Sequence, residues 1–192
     1  VAIAKAGAIP PLVALLTAGT DFTKELAAGT LQKLAANYDN KAVIAKAGAI
    51  PPLVELLTTG TADAKENAAG ALQNFAANSD NKVAIAKAGA IPPLVALLSS
   101  GNAGAKEKAA ATLWSLAENF DNQVAIAEAG AIPLLVELLT SETAGAKKEV
   151  ARALSNLAAN PDNQVAIAEA GAIPPLVKLL TSGTARAKEK TA

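Results

Sequence analysis

The chain has 192 residues, 52% hydrophobic but only 3% aromatic, with 17 Lys plus Arg balanced by 17 Asp plus Glu. It holds no Cys and no His, which excludes disulfides, thiolate nucleophiles, imidazole bases and Cys/His zinc sites. The zero net charge and the lack of a basic run argue against phosphate-driven binding to nucleic acid, and the absence of Cys fits a reducing compartment.

Ala-Gly-Ala-Ile-Pro recurs with its glycine at Gly7, Gly48, Gly89, Gly130 and Gly171, a constant step of 41 residues. A fixed period of this size is the signature of stacked structural repeats. It divides one continuous domain, 1–192, into units 1–41, 42–82, 83–123, 124–164 and a partial unit 165–192. In the unit beginning near Asp80, that residue is the expected N-cap of a short helix over 81–88, with Val83 and Ile85 as its apolar contacts. Gly89 ends this helix through a left-handed backbone. Ile91-Pro92-Pro93 opens a second helix, because a first turn has amide hydrogens without helical partners and tolerates proline. Leu94, Val95, Leu97 and Leu98 give it a wide apolar stripe, and Gly101 stops it. Asn102 caps a third, longer helix over 103–119, where Thr20, Thr61, Thr143 and Thr184 stand in the other units. Its apolar positions are Ala109, Ala110, Leu113, Leu116 and Ala117.

No segment alternates with period two, so the expected class is all-α. Three helices in 41 residues cannot bury their stripes alone, whereas stacked units seal them into one core. Leu31, Leu72, Leu113 and Leu154 are equivalent core positions, as are Leu34, Phe75, Leu116 and Leu157. The longest uncharged stretch, 88–105, contains two prolines and a glycine and makes a poor membrane span; the N-terminus lacks the charged start of a signal peptide. The Asp39/Asn40, Asp80/Asn81, Asp121/Asn122 and Asp162/Asn163 pairs recur in one context and read as helix caps rather than metal ligands. The Gly-Ala-Ile-Pro turns lack the spacing and the Lys-Ser/Thr ending of a phosphate loop. No nucleophile with a base and an orienting partner is visible, so the reading is no enzyme, no cofactor and no metal.

The run Asp-Asn…Ile-Ala-x-Ala-Gly-Ala-Ile-Pro-Pro-Leu-Val-x-Leu-Leu, followed by Ala-Ala-Gly-Ala-Leu-x-Asn-Phe-Ala at 68–76, resembles the armadillo repeat over the whole chain. The resemblance implies a right-handed α-solenoid superhelix of three-helix units. It also implies a concave groove, lined by the third helices, that holds an extended peptide or protein segment. In the family an Asn on each third helix bonds the peptide backbone, and a Trp one turn earlier shapes side-chain pockets. Here the Asn position carries Lys33, Asn74, Ser115 and Asn156, and the Trp position carries Gly29, Gly70, Ala111 and Arg152. The sole tryptophan, Trp114, precedes Ser115, and Glu118 follows on the same helix. An Asn row without aromatic pockets holds a backbone but barely selects side chains. The groove charges are mixed, with Glu25, Glu66, Glu107, Glu118 and Glu149 near Lys33, Lys108, Lys148 and Arg152. Weak or absent binding of basic nuclear-localisation peptides is therefore expected.

Alternatives stay open at single residues. Asn74 and Asn156 are either peptide clamps or inherited surface residues; Trp114 is a hot spot or a packing residue; Arg152 grips an anion or lies on a solvated face. The uniform units suit a consensus-like or engineered array, while scattered Phe22, Tyr38, Phe120 and Pro161 suit a natural array or a fragment of one. Val1 enters inside a first helix and Ala192 falls within a third, so apolar end faces and end-to-end self-association are expected.

Overall fold

The computed structural model describes residues 7–141 and 143–182, the latter two helix-end serines, Ser141 and Ser182, by backbone alone. Thirteen helices run through the described residues: α1 (Ile9–Ala18), α2 (Asp21–Leu34), α3 (Tyr38–Lys46), α4 (Ile50–Thr59), α5 (Ala62–Phe75), α6 (Ser79–Lys87), α7 (Ile91–Ser100), α8 (Ala103–Leu116), α9 (Phe120–Glu128), α10 (Ala131–Ser141), α11 (Ala144–Leu157), α12 (Pro161–Glu169) and α13 (Ile173–Ser182). No strand occurs among them. The expected short, medium and long helices follow one another in order through the described residues, and the all-α reading holds. Thr184, Val1 and Ala192 lie outside the described residues.

Short and medium helices meet at elbows of 85° (α3/α4), 82° (α6/α7) and 80° (α9/α10). The turn is made by the repeated glycine, whose φ lies between +77° and +83° in all five copies. At Gly89, its N–H donates to the Ala86 carbonyl, and the Ala90 N–H donates to the Ile85 carbonyl. This paired closure is the Schellman motif, which only a left-handed residue completes without strain. The prolines then occupy the first turn of each medium helix, as expected.

Long helices stack side by side, α2 on α5, α5 on α8 and α8 on α11, and the medium helices form a second row over them. Alanine makes this spacing possible: Ala68, Ala69, Ala71, Ala109, Ala110 and Ala111 are all buried. Leu31, Leu72, Leu113 and Leu154 are buried in one hydrophobic cluster that runs through the described units. Of the second core set, Phe75, Leu116 and Leu157 are buried while Leu34 is half-buried. Fully burying each such side chain contributes about 1.5–3 kcal/mol. No single helix among the described residues is long and apolar enough to cross a membrane.

The caps differ in part from expectation. Thr20, Thr61, Asn102 and Thr143 cap the long helices, each accepting from the backbone N–H three residues on. The short helices, however, begin two residues earlier than the Asp-Asn pairs suggest. Asn37, Asn78, Asn119 and Asn160 are their caps. Asp80 sits in the first turn, where its charge faces the positive helix end. The paired Asn turns back instead. Asn40, Asn81, Asn122 and Asn163 donate Nδ2 to the carbonyls of Leu34, Phe75, Leu116 and Leu157, at 2.9, 3.3, 3.0 and 3.1 Å. Each adds a second donor to a carbonyl at the end of the preceding long helix that already accepts the backbone N–H of the cap Asn37, Asn78, Asn119 or Asn160. The long helix accordingly ends at Leu116 rather than Asn119.

Candidate functional site

The exposed flank of the long helices carries the residues singled out from the sequence. Lys33 is exposed near the end of α2. Asn74 occupies the equivalent place on α5, half-buried, and donates Nδ2 to the Gln32 carbonyl on the preceding long helix at 2.9 Å. Asn156 on α11 repeats this bond to the Trp114 carbonyl at 3.0 Å. In both, Oδ1 makes no hydrogen bond among the described residues, so one acceptor per amide stays available. Ser115 is buried, and its hydroxyl donates to the Ala111 carbonyl in its own helix at 3.2 Å.

Asn74, Trp114, Ser115 and Glu118 come together around a depression of about 420 Å³ between α5 and α8, which Gln73, Ala76, Ala77 and Lys82 complete. Lys82 reaches across from α6 and ion-pairs with Glu118. Lys33 lies outside this depression. Trp114 is half-buried and packed against the core. Its ring face is covered by Arg152, whose guanidinium carbon lies 3.9 Å from a ring centroid. Arg152 Nη1 also contacts Glu149 Oε2 at 3.1 Å, and Lys148 Nζ lies 2.8 Å from Glu149 Oε1. Arg152 is thus neither freely solvated nor presented to an anion; it is held by an aromatic face and a carboxylate.

Sequence reading missed Lys82 and Gln32. The signal that finds such partners is the stacking offset. A Cβ added to Gly70, Gly104 or Gly145 would fall within 2.5 Å of the Gln32, Glu66 or Glu107 side chain. In each case the overlying residue lies 38 positions earlier, and Trp114 stands in that relation to Arg152. Two of the four positions at which the resemblance placed a tryptophan are met by the preceding unit: Gln32 lies over Gly70, and the indole of Trp114 lies against Arg152.

A row of three-helix units with a shared core, and a polar ledge along its long helices, defines an α-solenoid repeat protein. The model of the armadillo/beta-catenin-like repeat matches at 37–77, 78–118, 119–159 and 160–192, and the chain belongs to the armadillo repeat family. Three similar solved structures are designed armadillo repeat proteins. One superposes with a TM-score of 0.91 at 32% identity, covering 98% of this chain and 81% of that one. A second, solved in complex with the peptide (KR)4, has a TM-score of 0.87 at 30% identity, with 98% and 81% covered. The third, computationally designed for modular peptide recognition, has a TM-score of 0.87 at 30% identity, with 95% and 79% covered. Among curated protein sequences none matches the chain.

Proposed function

We propose that this chain is a non-enzymatic scaffold whose long-helix face holds an extended peptide or protein segment, with Asn74 and Asn156 bonding the peptide backbone. The observation that carries this is the pair of equivalent amides, each tethered by Nδ2 and each with Oδ1 unbonded among the described residues. A tethered amide has lost its rotamer freedom before a ligand arrives, so less entropy is lost on binding. Trp114, Ser115, Glu118 and Arg152 border the same ledge, with Lys33 extending it along α2. The near-identical units and the designed origin of the three similar structures support reading the whole of 1–192 as one idealised array. A peptide-library screen against the intact chain tests the groove. Hits weakened by both Asn74→Ala and Asn156→Ala support it; a screen without hits leaves a scaffold with no peptide role.

A second reading, self-association, has its own observation. Leu26 occupies on α2 the place from which Asn67 on α5 reaches the preceding unit, donating to the Glu25 carbonyl at 3.4 Å. Leu26 is 53% exposed and Phe22, one turn earlier, 66%. Light scattering on the intact chain and on the Phe22→Asp/Leu26→Asp variant decides it: a concentration-dependent mass that the variant abolishes supports association through this face, and a strict monomer at millimolar concentration removes it.

A further inference from the structure

The most unusual contact on the long-helix face is internal. Trp114 on α8 and Glu149 on α11 bracket Arg152 from two sides. The guanidinium carbon is 3.9 Å from the indole ring centroid, and Nη1 is 3.1 Å from Oε2 and 3.4 Å from Oε1 of Glu149. Glu149 is only 8% exposed, so its carboxylate has lost most of its water. An aromatic face beside a desolvated carboxylate attracts a guanidinium or an ammonium whatever chain supplies it. Arg152 has the attachment point to fill this space only because position 152 lies under residue 114 in the stacking offset described above. At the register-equivalent contact Gln32 lies over Gly70, which has no side chain to return; Glu66 over Gly104 and Glu107 over Gly145 share the offset but fall about two turns earlier on their helices.

We infer that Trp114 and Glu149 form a binding site for a basic side chain, and that Arg152 occupies it from within the chain, closing this unit to Lys- or Arg-rich peptides. The inference rests on the groove reading for its peptide partner, but the site itself does not. Removing the arginine side chain exposes the indole face and leaves Glu149 with Lys148 as its one remaining cation, at 2.8 Å. An incoming cation then finds the aromatic contact and the carboxylate already in place.

The test uses the intact chain, Arg152→Ala, Arg152→Gln, Arg152→Lys and the double variant Arg152→Ala/Glu149→Gln. The probes are methylguanidinium and the peptide (KR)4. Trp114 is the only tryptophan, so its fluorescence reports the site without labels. Methylguanidinium is expected to shift the emission of Arg152→Ala and Arg152→Gln saturably. It should leave unchanged the parent, the Arg152→Lys variant, which keeps a tethered cation, and the double variant, which lacks the carboxylate. By calorimetry, (KR)4 should bind Arg152→Ala about tenfold more tightly than the parent, the scale of one desolvated cation–aromatic contact. If methylguanidinium moves neither Arg152→Ala nor Arg152→Gln, with both melting cooperatively, the inference is overturned. If it binds those variants but (KR)4 binds none, the site stands and the groove reading fails. If (KR)4 binds the parent and Arg152→Ala equally and Asn74→Ala abolishes both, the groove stands and the inference fails. Binding of an acidic peptide by the parent that is lost in Arg152→Gln would make Arg152 a receptor for carboxylates and would also overturn it.

Discussion

Asn156 on α11 donates its side-chain amide to the backbone carbonyl of Trp114, 42 residues earlier and one unit away, at 3.0 Å. The same bond joins Asn74 to Gln32. These amides therefore contribute to stacking whether or not a peptide is bound. Asn156→Ala is expected to lower stability by about 0.5–1.5 kcal/mol in a urea melt, the net worth of one such bond. A melt indistinguishable from the parent's would show that water replaces the bond without cost.

Leu113 is fully buried in the middle of the stack. Leu113→Ala is expected to cost about 2–5 kcal/mol, since flanking helices on both sides limit collapse into the cavity. A loss below about 0.5 kcal/mol would mean that the α5–α8–α11 layers close over the gap.

The short-helix turn separates two roles that adjacent residues share. Asn81 is buried and holds the Phe75 carbonyl, while Asp80 is exposed in the first turn of α6. Asn81→Ala should cost about 0.5–1.5 kcal/mol, the net worth of one hydrogen bond, since the Phe75 carbonyl keeps the Asn78 N–H at 3.0 Å. Asp80→Ala should cost about 0.3–1 kcal/mol through the helix dipole alone. Thermal melts giving the opposite order would restore Asp80 as the principal determinant of the turn.

Gly89 and Gly101 are both helix-ending glycines with different physics. Gly89 has φ +77° and open space around its Cβ direction, so Gly89→Ala should cost about 1–2 kcal/mol in backbone strain, with Gly89→Asn milder. Gly101 has φ −73°, where any residue fits, but an added Cβ would lie 2.7 Å from the Leu97 carbonyl oxygen. Asn should give no relief there. Equal rescue by Asn at both positions, read from denaturant midpoints, would refute this distinction.

Elements whose signals are local were legible from the residues. The Gly89 turn, the Pro92-Pro93 entry and the Leu94–Leu98 stripe all act within one or two helical turns. The true cap was harder to read, because Asn78 and Asp80 are both good capping types two residues apart. The turn itself favours Asn78, whose N–H reaches the Phe75 carbonyl that the Asn81 amide also bonds, while its Oδ1 accepts the Asn81 N–H. The face itself was half legible. Asn74, Trp114 and Arg152 can be placed on their helices by period alone. That Trp114 meets Arg152, and that Lys82 meets Glu118, depends on how far one unit slides over the next, and helical periodicity within a unit carries no information about that offset.

The side-chain-to-backbone bridges between units share a direction. Asn67, Asn74, Thr112, Asn156 and Asn163 each donate backward, to carbonyls of Glu25, Gln32, Ala69, Trp114 and Gln123. The array therefore has a grain. A lesion in one unit's donors loosens the seam on its N-terminal side and spares the seam on the other, so amide exchange after Asn74→Ala should quicken along the α2–α5 seam while the α8–α11 seam keeps its protection. A chain built of near-copies in this way comes apart at a place that the position of the damage selects.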